Sequence, residues 1–414
     1  MTAGVTVAGA VPPARGGERG AAAAARRVLA HLAAEGDPRR NLGTFSTTWA
    51  EPEALDLIAA HLDRNLVNRA EYHRTADLAR TAAAELSAWW HGPAEPVGGP
   101  VGGSSEAAVL AGLALLGRRS SATPNLVFGA GAHSCWPRFC HLFGVRPRVL
   151  PSLPDGRTLD AEQAAAACDR DTIGVVAVLG STDHGRYDDV AALAAALDGL
   201  RQRSGLDVPV HVDAASGGYV APFLQPGLVW DFRLERVVSV NTSAHKFGLA
   251  FPALGWILWR HPDLRPRCLD RHSPYIGGGV DTWALTFSQS PAPVVHLAYN
   301  RERHGPSGYR AVHAACVATA RHVAGTIAGL GPYTVTAGAP ELPVVSFTGP
   351  DSAMRTLGGH LTARGWRIPV YRPQPDGPLT GRIVIRHGTT PELAHALHTD
   401  LAAVPRSPGT RRRP

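Results

Sequence analysis

Between residues 125 and 259, short, largely apolar runs alternate with stretches of helical periodicity. The apolar runs fall at 126–128, 148–150, 173–179, 208–212, 236–240 and 255–259, and helical stretches at 135–143, 161–167 and 190–200 lie between several of them. A strand that keeps one face in water alternates polar with apolar residues. These runs of Val, Ile and Leu do not, so they predict a mostly parallel sheet covered by helices on both faces, an α/β fold. In such a sheet ligands bind beyond the carboxyl ends of the strands.

The flanking sequence reads differently. Residues 1–20 are rich in Gly, Pro and Ala, the composition of a disordered start. Helical patterns follow at 21–34, 53–66, 76–90 and 107–117, with a polar, aromatic loop at 41–49. After Pro291-Ala292-Pro293 the pattern becomes helices at 294–302, 309–330, 354–365 and 391–403 with strands at 344–347, 368–370 and 382–386. The expected organisation is an N-terminal segment (1–40), partly disordered, a large domain (41–290), a small C-terminal α+β domain (291–405) and a basic tail (406–414).

Composition excludes several classes of function. No apolar run approaches the roughly 20 residues that span a bilayer, and the alanine run at 21–25 is followed by Arg26 and Arg27, unlike a signal peptide. The five cysteines, Cys135, Cys140, Cys168, Cys268 and Cys316, form no CxxC pair, which fits a reduced cytoplasmic protein without a metal site. The net charge of +7 comes from scattered arginines and a tail, Arg411-Arg412-Arg413, with no nucleic-acid motif. Dispersed positive charge instead favours an anionic substrate or cofactor.

Of the 41 Lys and Arg residues a single one, Lys246, is lysine. Arginine serves wherever charge or solubility is needed, but it stays protonated and is a poor nucleophile, whereas a lysine amine can shed its proton and attack a carbonyl. The bland alternative is a surface lysine retained by chance. Its neighbours, Ser243, His245 and Gly248, are not those of a solvated helical face. Lys246 is therefore the expected Schiff-base lysine.

Other polar clusters share its position after predicted strands. Asp213 closes one strand in His211-Val212-Asp213-Ala214-Ala215-Ser216, Gly180-Ser181-Thr182-Asp183-His184 follows a second, and Ala130-Gly131-Ala132-His133 a third. Converging with the lysine, they predict a cofactor pocket. Gly102-Gly103-Ser104-Ser105-Glu106 opens a helix and offers backbone N–H groups and hydroxyls to an anion. Taken alone, that stretch reads equally well as an N-cap on a flexible approach.

Five stretches in this order resemble the group II pyridoxal-phosphate (PLP) decarboxylase family, in particular its bacterial glutamate decarboxylases. They are Asn41-Leu42-Gly43-Thr44-Phe45 running on to Trp49, Gly103-Ser104-Ser105-Glu106-Ala107, His211 through Phe223, Val229-Trp230-Asp231-Phe232-Arg233, and His245-Lys246-Phe247-Gly248-Leu249. The resemblance implies an aminotransferase-like (fold type I) architecture, with a large, mostly parallel seven-stranded sheet domain and a small C-terminal α+β domain. It also implies a homodimer or larger homo-oligomer with shared active sites. By match, Lys246 carries the cofactor, Asp213 pairs with its pyridine nitrogen, and His133 stacks on the ring where the bacterial glutamate enzymes tend to have glutamine. Ser104 and Ser105 bind the phosphate with Ser243 and His245, Thr182 lies near the phenolic oxygen, and Ala215 packs on the face opposite His133. Phe287 and Ser288 match a loop that reaches the neighbouring subunit's phosphate, and Arg382 matches the arginine that orients the substrate α-carboxylate.

The implied reaction is α-decarboxylation of an acidic L-amino acid, glutamate or a close analogue, to the amine and CO2. The alternative is another PLP reaction on the same scaffold, such as transamination, decarboxylation-coupled oxidation or C–C/C–S cleavage. Thr44 and Phe45 match the loop that receives the distal carboxylate. Asn68 stands where the bacterial enzymes bring an acidic residue, and an amide can donate to an ionised carboxylate without first taking up a proton. Asn68 thus implies either a higher working pH or a different side chain on the substrate.

Overall fold

The computed structural model describes residues 20–118, 121–276, 279–373 and 376–405. The first 19 residues of the expected disordered start, and the basic tail, lie outside them.

The large sheet has the strand order β1-β7-β6-β5-β4-β2-β3. Its strands are β1 (Val97–Val101), β2 (Asn125–Gly129), β3 (Arg146–Leu150), β4 (Thr172–Val178), β5 (Val210–Asp213), β6 (Val237–Thr242) and β7 (Gly255–Trp259). Neighbours from β3 through β6 pair in parallel, and β7 runs against both β6 and β1. Every residue of β2, β4, β5, β6 and β7 is buried. That burial explains why β2, β4 and β7 lack polar alternation, while β5 and β6 carry His211, Asp213, Ser239 and Asn241 as buried polar exceptions. The edge strand β3 is largely exposed and carries Arg146, Pro147 and Arg148, residues that discourage further strand pairing.

Helices α1 (Ala21–Leu32), α2 (Pro52–Ala59) and α3 (His73–Trp89) precede the sheet, and α4 (Ser104–Gly117), α5 (Cys135–Phe143), α6 (Ala161–Ala166), α7 (Val190–Ser204) and the short α8 (Ala221–Leu224) are interleaved with it. Two apolar cores lie against the sheet. One holds Val175, Val212, Val240, Trp256 and Leu258, the other Leu126, Phe128, Val176, Ile257 and Trp259, so side chains alternate between the faces. Beyond a two-stranded ribbon of β8 (Arg271–Ser273) and β9 (Val280–Thr282), α9 (Ala292–Gly329) leads into a four-stranded antiparallel sheet ordered β10-β11-β13-β12. Its strands are β10 (Thr334–Gly338), β11 (Val344–Thr348), β12 (Val370–Tyr371) and β13 (Thr380–Val384), backed by α10 (Asp351–Ala363) and α11 (Pro391–Ala402). This is the α/β fold with a smaller C-terminal sheet domain that the sequence implies.

Two local expectations are corrected, and one strand of the large sheet lies where none was expected. The helix expected over 53–66 ends at Ala59, and a run of turns takes the chain onward because Asp63, Arg64 and Asn65 offer it no apolar face. The two helices expected at 294–302 and 309–330 are continuous except at Gly305 (φ 54°), just before Pro306, which cannot donate to the helical ladder. Strand β1 was hidden by Gly98-Gly99-Pro100. Its Gly98 sits at φ 134°, where an added Cβ would lie 2.0 Å from the Ile257 carbonyl oxygen, so only glycine lets β1 approach β7.

Candidate active site

Since β2, β4, β5 and β6 are parallel, their carboxyl ends and the loops that follow open on one edge of the sheet. Asp213 is the last residue of β5 and is 3% exposed. Its Oδ2 accepts from Trp136 Nε1 (2.8 Å), and its Oδ1 accepts from Asn241 Nδ2 (3.2 Å) and from the Ala215 backbone N–H (3.2 Å). Asn241 stands opposite Asp213 in the β5–β6 register, as Ser239 stands opposite His211. The His211 ring bridges this second rank, with Nδ1 2.7 Å from Ser239 Oγ and Nε2 2.8 Å from Asn241 Oδ1. Burial pushes the His211 pKa down to about 4, against the pull of Asp213, so the ring is neutral at neutral pH.

Lys246 follows β6 in a tight turn, its N–H bonded to the Ser243 carbonyl. Its Nζ donates to Ser216 Oγ (3.3 Å) and lies 5.2 Å from the centroid of the Phe45 ring. Burial lowers the pKa of the amine, and the Asp213 carboxylate opposes that shift. A lysine whose proton is held less firmly is the nucleophile that Schiff-base chemistry needs. The turn is strapped to the loop at 41–49, because Thr47 Oγ1 donates to the Lys246 carbonyl (2.9 Å) and the Thr47 N–H to the His245 carbonyl (2.7 Å).

The glycine–serine stretch closes another side. Gly103 (φ 144°) precedes α4, and no side chain caps that helix. Ser243 Oγ donates to Ser104 Oγ (2.7 Å), and a Cβ on Gly103 would come within 3.2 Å of His245 Cε1. Burial, reinforced by the neighbouring Lys246 charge, pushes His245 down to about 4, leaving it neutral. Uncapped N–H groups of a 14-residue helix, two hydroxyls and a close-packed glycine form a cradle for a phosphate-sized anion.

Arg382 on β13 enters from the small sheet. It donates to the Thr182 carbonyl (3.0 Å) and the Gly43 carbonyl (2.7 Å), and its guanidinium lies 5.1 Å from the Phe45 ring centroid. Its Nε is buried, and the guanidinium also lies 5.9 Å from the centroid of the Tyr371 ring. Arg386 donates to the Asn41 and Ser46 carbonyls and to Thr48 Oγ1, so two arginines grip the loop that carries Thr44 and Phe45. His133 is exposed at the mouth, with Nδ1 accepting from the Cys135 N–H (3.3 Å), and the protein packed behind the ring lowers its pKa.

Most of the residues expected to act together thus converge. Lys246, Asp213, Ala215, Ser104, Ser243, His245, Thr182, Phe45 and Arg382 are linked by direct contacts or by one intervening residue. Ser105 follows Ser104 in the first turn of α4, and Thr44, whose Oγ1 accepts from the Ser46 N–H (3.0 Å), adjoins Phe45. Asn68 and Ser288 do not join them. Asn68 Nδ2 donates to Glu71, its Oδ1 is buried without a partner, and Ser288 Oγ accepts from Asn65 Nδ2 (3.1 Å). Glu106 holds the loop bearing Ser288, accepting from the Leu285 N–H (2.9 Å) and the Thr286 N–H (3.1 Å) as well as from Gly102 (2.7 Å). Sequence reasoning gave no role to Trp136, Asn241, Ser216, Glu106 or Arg386. Polar residues at 239 and 241 inside an otherwise apolar strand were the available signal.

Residues 22–349 match the pyridoxal-dependent decarboxylase conserved domain. Glutamate decarboxylase beta of Listeria innocua is 37% identical over 364 residues, 84% of this chain and 78% of that protein. The glutamate decarboxylase of Aliivibrio fischeri is 36% identical over 390 residues, 89% of this chain and 84% of that protein. The structure of a Lactobacillus brevis glutamate decarboxylase superimposes with a TM-score of 0.86 at 33% identity, covering 97% of this chain and 94% of that one. The anion cradle, the carboxylate and the desolvated lysine are the donor set that PLP requires, and the same fold carries them. This chain belongs to the pyridoxal-dependent decarboxylase family and is a PLP-dependent amino acid decarboxylase.

Proposed function

We propose that the pocket removes the α-carboxylate of an acidic L-amino acid, glutamate or a near analogue, as CO2 and releases the ω-amino acid. The observation that carries this reading is the Phe45 ring, with Lys246 Nζ 5.2 Å and the Arg382 guanidinium 5.1 Å from its centroid. An amine and a carboxylate-binding cation on one aromatic platform suit a ligand carrying an amino group and a carboxylate side by side. That the side chain is acidic rests on the relatives, which are named glutamate decarboxylases.

Bound PLP supplies the electron sink that accepts the pair left on Cα when CO2 departs. The protein's part is placement and proton control. Ser104, Ser105, Ser243 and His245 would hold the phosphate, Asp213 would meet the pyridine nitrogen, and His133 and Ala215 would hold the two ring faces. Thr182 would lie by the phenolic oxygen. Lys246 would hold the cofactor through its amine and would hold or give up a proton beside Ser216. Arg382 would hold the substrate α-carboxylate in a fixed orientation, an effect that lowers the barrier to its departure.

Asn68 and Ser288 would serve the site of a neighbouring subunit in a homodimer. The Asn65–Ser288 hydrogen bond makes the 65–68 turn and the 287–288 loop one unit, and neither residue spends its side chain on the Lys246 cluster. Four of the five cysteines are buried and no two form a CxxC pair, which favours a reducing cytoplasm. Among the described residues no helix is long and apolar enough to cross a membrane.

The test is a product screen of the purified protein with glutamate, aspartate and their analogues. CO2 and 4-aminobutanoate from glutamate are expected. Keto acid or aldehyde products, or no CO2 from any acidic amino acid, would overturn the proposal.

A further inference from the structure

A carboxylate has about four lone-pair sites, two on each oxygen. In Asp213, Oδ1 accepts from Asn241 Nδ2 and the Ala215 N–H, and Oδ2 accepts from Trp136 Nε1. That leaves one site, on Oδ2. The donors are themselves fixed. Asn241 gives its N–H to Asp213, so its Oδ1 faces His211 Nε2, which must then carry the ring proton and leave His211 Nδ1 to accept from the Ser239 hydroxyl. Trp136 packs its ring on the same histidine, with centroids 5.1 Å apart. Trp136, His211 and Asn241 are each 0% exposed and Ser239 is 1% exposed, so water does not compete for these bonds.

We propose that Trp136 and Asn241, backed by His211 and Ser239, are positioning residues that aim the one remaining lone pair of Asp213 at the pyridine nitrogen of the cofactor. The inference rests on the reading of Asp213 as that nitrogen's partner. None of the four touches a reacting atom. They act by denying the carboxylate any other orientation and any other proton donor. With Trp136 replaced by Phe the ring volume largely remains, but Oδ2 regains a second free site and the carboxylate can turn away. The bond to the nitrogen then loses strength, while the phosphate cradle and Lys246 keep theirs.

The experiment compares two ligands of the full-length chain stripped of cofactor. One is PLP, and the other is its 1-deaza analogue, in which a carbon replaces the pyridine nitrogen. Dissociation constants are measured by absorbance titration, with no turnover needed. The native chain is expected to prefer PLP, and W136F to lower that preference about tenfold, the worth of one charge-assisted hydrogen bond. N241A, which removes the donor to Oδ1, is expected to lower it similarly and decides the matter alone if W136F does not fold. Equal weakening of both ligands, leaving the ratio unchanged, would mean that these residues merely support the fold, and the inference fails. A native chain that does not discriminate between the ligands would instead overturn the role of Asp213 itself.

Discussion

At the pocket floor Asp213, His211 and Asn241 stand on β5 and β6, strands paired on both sides, and none is more than 3% exposed. At the rim Thr44, Phe45, Asn68 and Ser288 stand on loops, and two of the four make their contacts away from Lys246. The floor is complete within one chain, with each polar side chain held by another. The rim depends on clamps from elsewhere, the Arg382 and Arg386 bonds to the 41–48 backbone and the Glu106 bonds to the 285–286 backbone. The difference matches the division of labour. On the proposed reading, the partner of the cofactor ring is built into strands, where geometry is fixed, whereas substrate choice would sit on loops that tolerate change.

The largest effect should come from Lys246, in the turn that leaves the floor strand β6. Lys246→Ala is expected to abolish the visible absorption of bound PLP and to lower turnover by on the order of 10³-fold or more. Its thermal melting without cofactor should resemble that of the native chain. Absorbance, product assay and melting curve together check this, and a retained visible band would remove Lys246 from the reading. At the junction of floor and rim, Arg382→Lys keeps the charge but loses the planar fork, so kcat/KM should fall by roughly 10²-fold. A fall of less than threefold would show that another cation receives the α-carboxylate.

Much of the floor was legible in the sequence, and the reason is physical. Strands buried on both faces are largely apolar, so β4 and β7 announce themselves, and β6 does so despite Ser239 and Asn241; the residues that follow the parallel strands β4 and β6 inherit a position at the edge that carries the site. A lone lysine among arginines, and Asp213 at a strand end, are therefore placed by the sequence alone. The support behind Asp213 is not. It requires knowing that Asp213 pairs with Asn241 and His211 with Ser239, and a one-residue change of register would send these side chains to the other face. Trp136 is silent in the sequence because an apolar ring in a helix reads as core, and its N–H declares a role only through its direction toward Asp213. The rim was less legible still. Where Asn68 points depends on a turn closed by the Asn65 and Ser288 side chains, 223 residues apart.

A third region sharpens the contrast by acid. Behind the Lys246 turn, burial pushes His296 and His387 down to about 4 and His313 down to about 3, joining His211 and His245. In the unfolded chain these rings take up protons near pH 6.5, and in the folded chain only near pH 3–4. Between those limits the unfolded state binds more protons. Stability is therefore fully present above about pH 6.5 and is lost as the pH falls toward 4. The melting temperature should drop steadily from pH 7 to pH 5. His313→Asn should reduce the dependence of stability on pH by up to about 1.4 kcal/mol per pH unit, one proton's worth. An unchanged slope would mean that His313 titrates normally in the folded protein.

The smallest expected change tests the rim alone. If Asn68 meets the distal carboxylate of the substrate across a subunit boundary, its amide donates at every pH, and affinity for an acidic substrate should be nearly level from pH 5 to 8. Asn68→Asp replaces a permanent donor with a group that donates only when protonated, and an ionised aspartate would repel the substrate carboxylate. KM for glutamate should then rise about tenfold at pH 7 and recover toward the native value as the pH falls toward 4.5, while kcat and the absorption spectrum stay as they were. Because the acid loss of stability acts on native and variant chains alike, the comparison is made as a ratio at each pH. A rise in KM that does not relax in acid would place Asn68 away from the substrate carboxylate, and the acidic side chain would have to be read by Thr44 and Phe45 alone. A fall in kcat with KM unchanged would be the more damaging result, since it would mean that a loop residue shapes the floor and that the two regions are not separable.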